Sequence, residues 1–167
     1  VGHSPLVPSS TDPVTIRARL NDTTSQGLSV NAFYRVSTLD PVDFTEVVMS
    51  DDGLHNDGAA GDGVFGVTLP AMDDQVIVEF YLSASDGENV RTWPAPTDIG
   101  QVANLHYQVD DAPNPDGEGI YRLIMTAAEN RAFNRIDRDS NAQHNCTLLA
   151  DDCSGPVVRY LCGVRVR

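Results

Sequence analysis

The chain has 167 residues, of which 41% are apolar, and its formal net charge at pH 7 is −13. This length and apolar content predict one folded domain, or one domain and part of another, with a real hydrophobic core. The negative charge argues against nucleic acid or an anionic membrane surface as a partner, since both require clustered basic side chains. All eleven basic residues are arginine, which excludes any activity that depends on a lysine amine.

The first 12 residues are rich in proline and serine and predict an extended lead-in, and the absence of a signal peptide at Val1 suggests a mature or trimmed start. Apolar residues then alternate with polar ones in seven short segments, the pattern of half-buried strands. These segments are residues 14–20, 28–36, 44–49, 64–69, 75–84, 90–93 and 105–109, with a turn at 21–26. Seven strands without a helical period predict an antiparallel β-sandwich over residues 13–109, with Trp93 covering the edge of its core or, alternatively, serving as a platform for a sugar.

Residues 49–65 read MSDDGLHNDGAAGDGVF and contain three Asp-Gly pairs at five-residue intervals. Glycine after aspartate lets the backbone reach positive φ and coil tightly, which can turn carboxylates and carbonyls inward. Ca²⁺ takes about six to eight oxygen ligands of this kind. We therefore predict a calcium site in this loop. Its candidate ligands are Asp52, Asp57 and Asp62, with Asp51, His55 and Asn56 beside them.

The loop is not an EF-hand, although residues 51–62 have the length of one. Gly53 and His55 stand where that motif has acids, and the bidentate glutamate at its end is missing. The alternative to a calcium site is an elaborate Asp-Gly turn whose acids are solvated.

Residues 110–118 form the clearest boundary in the chain, because they combine two prolines with acids and have no apolar side chain larger than alanine. This composition predicts a linker or long turn, in which Asp110, Asp111 and Asp116 are solvated or supply a second calcium site. Residues 119–167 then predict a small α+β segment. Its elements are a strand at 119–125, a helix capped by Thr126 with Glu129 three residues on, and a hairpin of strands 144–149 and 157–167.

The three cysteines lie near the C-terminus, and their odd number leaves one thiol over. Across the predicted hairpin Cys146 and Cys162 lie nearly opposite each other, within disulfide reach, while Cys153 lies in the turn. We favour the Cys146–Cys162 pair, although all three pairings remain open. Zinc binding by His144, Cys146 and Cys153 is disfavoured because their spacing matches no standard finger. Together with the acidic loops, the cysteines suggest an exported protein.

Two segments of the chain resemble known families. Residues 51–96 resemble an immunoglobulin-like accessory domain of exported bacterial multidomain proteins, through the strings DDGLHNDGAAGDGVF, VIVEFYLSASDG and TWPAP. Residues 119–167 resemble the opening of the spore-coat CotH kinase family, through GIYRLIMT, HNCTLLADD and VVRYLCGVRVR. In that family the accessory domain often precedes the kinase-like domain. The resemblance covers most of the chain from about Val14 and implies an immunoglobulin-like sandwich followed by the N-terminal fragment of a CotH kinase-like domain.

The CotH resemblance implies phosphoryl transfer to secreted proteins, which requires a basic group on the phosphates and acids that hold Mg²⁺. By the resemblance those groups lie beyond Arg167, so no catalytic residue is assigned in this chain. Arg159, Arg165 and Arg167 could meet phosphate, but their alternation along a strand favours solvated surface.

Three functions are consistent with these features. The first is a non-catalytic extracellular β-sandwich module, stabilised by calcium, that acts as a spacer, anchor or assembly domain of a secreted multidomain protein. The second is the N-terminal portion of a secreted CotH-type protein kinase, inactive as this fragment. The third is a subunit of a cell-surface layer or filament, in which exposed strand edges pair between copies. The expected partners are other domains of the same protein or copies of the chain itself.

Overall fold

The computed structural model describes residues 1–21, 27–96, 98, 103–112, 119–137, 139–152 and 155–166. These residues form eleven strands and one short helix, so the chain is mainly β, as predicted. The elements are β1 (Gly2–Ser4), β2 (Val14–Arg19), β3 (Ser29–Val36), β4 (Thr45–Met49), β5 (Val64–Leu69), β6 (Ile77–Ser85), β7 (Val90–Trp93), β8 (Leu105–Gln108), β9 (Ile120–Ile124), α1 (Ala127–Phe133), β10 (His144–Asp151) and β11 (Pro156–Val164). The predicted turn at 21–26 lies largely outside the described residues.

Two antiparallel sheets form the predicted sandwich. One has the order β1-β2-β5, and the other has the order β4-β3-β6 with β7 and β8 both paired to β6. Along β2 the side chains of Val14, Ile16 and Ala18 are buried while their neighbours are less so, which is the two-residue period of a strand with one face on a core. The inward faces of both sheets share one hydrophobic core, whose fully buried members include Ile16, Phe80 and Tyr107.

The predicted extended lead-in over residues 1–12 contains a short strand that the sequence did not indicate. Gly2–Ser4 form β1, which pairs with β2 in the register Gly2 with Arg17 and His3 with Ile16. His3 is buried and stacks on Tyr107, with 5.1 Å between the ring centroids. A three-residue strand that ends at a proline shows too little alternation to be recognised in the sequence.

The C-terminal residues form a third antiparallel sheet of order β11-β10-β9, together with α1. The Thr126 side chain caps α1 by accepting a hydrogen bond from the Glu129 backbone N–H at 3.1 Å, which confirms the predicted cap. The Glu129 carboxylate contacts His144 Nδ1 at 2.7 Å, so its side chain is engaged with β10. No helix in the described part of the chain is long and apolar enough to cross a membrane.

This third sheet packs against the core of the sandwich through Tyr160 of β11. The strand carries a bulge between the pairs Cys146–Cys162 and Leu148–Arg159, and Leu161 within it has φ of 56°. Tyr160 joins the sandwich core, lies edge-on to Phe80 with 6.1 Å between the ring centroids, and hydrogen-bonds His3 Nδ1 through its hydroxyl. The first and last strands of the structure are therefore joined by one buried contact.

The acids at the start of the predicted linker differ: the Asp110 side chain is shielded from solvent and bonded to the protein, so the expectation that it is solvated was wrong, whereas Asp111 is exposed. Asp110 pairs with Arg122 of β9 and accepts hydrogen bonds from Gln75 at 3.2 Å and from the Ala112 N–H at 2.8 Å. Asp111 accepts hydrogen bonds from Ser10, from its backbone N–H at 2.6 Å and its hydroxyl at 2.7 Å. Asp116 lies outside the described residues. The division of the chain into two domains at 110–118 stays a prediction.

Candidate functional site

Residues 51–63, here called the acidic loop, connect β4 in one sheet of the sandwich with β5 in the other. The loop is closed at its base by Ser50 and Gly66, which exchange two backbone hydrogen bonds of 2.9 and 2.8 Å. A side chain at Gly66 would place its Cβ 2.7 Å from the His55 carbonyl oxygen and 3.1 Å from Asp57 Cβ. The loop therefore folds back directly onto β5, and only glycine leaves room for it there.

The backbone of the acidic loop coils as the Asp-Gly pairs predict. Five of its residues have positive φ: Gly53, Asn56, Gly58, Gly61 and Gly63. At Gly58, whose φ is 106°, a Cβ would also lie 2.5 Å from a carboxylate oxygen of Asp62, which would have to move aside. The glycine of each Asp-Gly pair is thus a turn point that lets the following segment fold over the preceding one.

Asp51 organises the second half of the loop. Its Oδ1 accepts hydrogen bonds from the backbone N–H of Gly61 at 2.8 Å and of Asp62 at 3.2 Å, and its Oδ2 accepts one from Gly63 at 2.9 Å. Consecutive N–H groups that converge on one carboxylate form an anion-binding concavity in the backbone. The protein supplies the anion itself, so Asp51 stabilises the turn from within the chain.

Asp57 is the most deeply buried acid of the loop, with 2% of its surface exposed. Its Oδ2 accepts hydrogen bonds from the backbone N–H groups of Asp52 at 3.0 Å and Gly53 at 3.2 Å. Its Oδ1 is buried and has no hydrogen-bond partner within the described residues. A buried carboxylate oxygen without a partner is costly, and it is the one oxygen of the loop for which a cation would supply a missing interaction.

The remaining predicted ligands are bonded within the loop or to its neighbours. Asp52 Oδ1 accepts from Leu54 N–H at 3.0 Å and contacts His55 Nδ1 at 3.1 Å, and the Leu54 hydrogen bond chiefly lowers the Asp52 pKa. The Asp62 carboxylate accepts from the N–H groups of Ala59 and Val64 at 3.2 and 2.9 Å. Asn56 contributes its carbonyl oxygen to Arg17.

The structure brings all six predicted ligands into one loop, but it does not gather the acids around one point. Among the residues that it describes, no three His, Cys, Asp or Glu side chains are grouped so that they could hold a metal ion. The oxygen-rich composition suits a hard cation such as Ca²⁺. However, the carboxylates of Asp51, Asp52 and Asp62 already accept backbone N–H groups, which leaves Asp57 Oδ1 as the oxygen that fits a cation best. Calcium binding stays a prediction.

Two arginines of β2 lie against the outer side of the acidic loop. Arg17 Nη1 donates to the Asn56 carbonyl at 3.3 Å, and Arg19 Nη1 donates to the Asp62 carbonyl at 3.4 Å. Their guanidinium charges offset part of the negative charge of the loop and disfavour a second cation on that side. This contact was not predicted from the sequence, although the alternation of β2 does place both arginines on one face of the strand.

The predicted disulfide partners face each other in the C-terminal hairpin. Cys146 and Cys162 are directly opposed in the register of β10 and β11, as the sequence analysis expected. Both are free thiols in the structure, and the Cys162 thiol donates weakly to the Arg159 carbonyl at 3.4 Å. Burial, together with the nearby Cys162 sulfur, raises the pKa of the Cys146 thiol. A bond between the two stays a prediction, and Cys153 lies outside the described residues.

Comparison with protein families supports the fold. Residues 9–75 match the family model of the conditioned medium factor 2nd Ig-like domain. The sandwich is immunoglobulin-like. The matched range runs from the lead-in through β5 and includes the whole acidic loop. A search of curated proteins found no match to the chain. Domains of the immunoglobulin-like class are generally non-enzymatic and often mediate interactions. The CotH resemblance of residues 119–167 and export from a bacterium are not shown by these comparisons and stay predictions.

Proposed function

We propose that this chain is a non-catalytic immunoglobulin-like module of a secreted multidomain protein, acting at the cell exterior as a spacer, anchor or assembly domain. The observation that carries this proposal is the hydrogen bonding of the carboxylates in the acidic loop. Its carboxylates are tied to the loop's own backbone N–H groups, so they shape a corner of the sandwich and are not presented to a substrate. The immunoglobulin-like match over residues 9–75 supports the same reading.

The location and role can be tested on the native protein. Antibodies against the sandwich should detect it in the culture medium or at the surface of intact cells, and surface proteolysis should remove the signal. Light scattering over a range of concentrations then separates a spacer from an assembly unit, because an assembly unit increases in mass with concentration. Detection in the cell interior alone would contradict the proposed location, whereas a constant monomer mass would contradict only the assembly role.

We further propose that Ca²⁺ stabilises the module through the acidic loop, with Asp57 Oδ1 as its anchoring oxygen. The support is the burial of that oxygen without a described partner, next to a loop rich in carboxylates and carbonyls. An ion bound only by the folded state raises the midpoint of unfolding. Because extracellular calcium modules bind with dissociation constants of about 10⁻⁴ to 10⁻³ M, the comparison should use millimolar CaCl₂ against excess chelator.

Asp57→Asn is the matched variant for this test. The asparagine oxygen can still accept the N–H groups of Asp52 and Gly53, while the oxygen that would anchor calcium becomes an NH₂ group. We expect calcium to raise the melting temperature of the wild-type protein and to leave that of Asp57→Asn unchanged. Equal wild-type melting temperatures in calcium and chelator would refute the calcium proposal, and an equal calcium response of the variant would refute Asp57 as the anchor.

A further inference from the structure

A cavity of about 580 Å³ opens at the edge of the sandwich, far larger than a packing defect. Its floor is built from core side chains of both sheets: Ala18, Val30, Leu82 and Leu105. Its rim carries Arg19, Arg91 and Trp93, the last of which is 52% exposed. This volume lies in the range of roughly 300 to 1,000 Å³ that small-molecule sites occupy, and an apolar floor with a few polar groups at the rim is their usual composition.

The charge at this rim is opposite to that of the chain. The protein has a net charge of −13, yet the described lining residues include two arginines and no acid. The side chain of Arg91 is exposed, and its guanidinium makes no hydrogen bond or ion pair within the described part of the structure. Arg19 also lines the rim, but its guanidinium donates to the Asp62 carbonyl at 3.4 Å and offsets the charge of the acidic loop, so the cation that faces the cavity is Arg91. A guanidinium group beside an apolar cavity attracts a ligand with an anionic head and a hydrocarbon body.

We propose that the cavity binds an aliphatic carboxylate, with the hydrocarbon chain over the apolar floor and the carboxylate on Arg91. Each methylene removed from water adds to the binding free energy, so an unbranched chain of moderate length gains more from this floor than a polar ligand does. A sugar gains less from the apolar floor, because its hydroxyl groups find no partner on Ala18, Val30, Leu82 or Leu105. This inference goes beyond the proposed module function and does not depend on it.

Trp93 is the only tryptophan of the chain and reports directly on the mouth of the cavity. We would titrate decanoate, below its micelle concentration, into the full chain while recording tryptophan fluorescence, and check the stoichiometry by calorimetry. A saturable change with one decanoate per chain is expected. Butyrate, with a shorter chain, and decyltrimethylammonium, with the same chain and a positive head, should each bind at least about tenfold more weakly.

Two charge-reversal variants distinguish an effect of the arginine at the cavity from an effect of the protein's net charge. Arg91→Glu removes a rim guanidinium and should weaken decanoate binding about tenfold or more, the scale of one lost charge-assisted hydrogen bond. Arg131→Glu makes the same change of net charge on the exposed surface of α1 and should alter binding less than about twofold. The absence of saturable binding to the wild-type protein, equal losses in the two variants, or equal binding of the cationic analogue would each overturn the proposal. The comparison of ligands on the wild-type chain does not depend on the folding of either variant.

Discussion

Two buried histidines should make the stability of this protein fall steeply between neutral and mildly acidic pH. Burial lowers the pKa of His3 and of His106 from 6.5 to about 4 in each case. His3 donates from Nε2 to the Leu6 carbonyl and accepts from the Tyr160 hydroxyl at Nδ1, so it is held in the neutral form. His106 faces Glu79 across the β6–β8 pair. The charge of Glu79 raises the His106 pKa, but burial lowers it by more.

The sign follows from which state binds more protons. Between pH 6.5 and 4 the unfolded chain binds protons at these histidines and the folded chain does not, so the free energy of unfolding decreases as the pH falls. The contribution is fully present above pH 6.5 and is lost progressively towards pH 4. At pH 5 each histidine accounts for a loss of about 2 kcal/mol, or about 4 kcal/mol for both. That is a large part of the roughly 5 to 15 kcal/mol by which a typical domain is stable.

Urea unfolding followed by circular dichroism, repeated at closely spaced pH values from 7.5 to 5, measures this loss directly. His3→Gln combined with His106→Gln removes both titrations, so the variant should lose much less stability over the same interval, whatever its stability at pH 7. Imidazole resonances followed by NMR should show two histidines that remain neutral at pH 5. A flat wild-type profile, or a double variant with the wild-type slope, would refute the assignment. Carboxylates with lowered pKa values, such as Asp86, affect only the range near and below pH 4.

Three further predictions concern packing and the cysteine pair. Gly66→Ala forces a Cβ against the His55 carbonyl oxygen and should reduce the free energy of unfolding by about 1 to 3 kcal/mol, measured by denaturant titration; a neutral substitution would contradict the close approach of loop and strand. Tyr160→Ala should reduce the free energy of unfolding by about 3 to 5 kcal/mol, because it leaves a cavity in the core. Tyr160→Phe, which retains most of the packing, is its control. Equal losses of stability in the two variants would contradict the packing role. Treatment with a small disulfide reagent should join Cys146 to Cys162, with a loss of two hydrogens in the intact mass and a linked peptide pair on digestion; a mixed disulfide at Cys162 alone would contradict that pairing.

The sandwich could be predicted from the sequence because its strands are buried on one face only. The alternation in β2, β3 and β6 follows directly from that geometry. The Asp-Gly pairs indicate where the backbone turns. Strand ends shifted by one or two residues, since the last residues of a strand pack less and show less alternation. The short strand β1 was missed because pairing with β2, and not its own composition, makes it a strand.

The role of each acid in the loop could not be predicted from spacing. A backbone N–H and a metal ion compete for the same carboxylate oxygens, and the sequence does not show how the N–H groups point. Asp51 was placed in second rank by its position, yet it holds three N–H groups, whereas Asp57 alone keeps a buried oxygen without a described partner. The same limit applies to Asp110, which reads as a solvated linker acid until the fold brings Arg122 beside it.

The contacts of the C-terminal sheet bear on how much of the chain is needed for the module to be stable. The boundary suggested by composition at residues 110–118 is crossed by the Asp110–Arg122 pair, which is shielded from solvent on the carboxylate side, and by the Tyr160 side chain inside the sandwich core. Removing Tyr160 would expose Phe80 and leave His3 Nδ1 without its donor, so the sandwich would lose both packing and a buried hydrogen bond. The third sheet therefore covers part of the sandwich core, and any activity that this sheet has in a longer protein must be compatible with that packing.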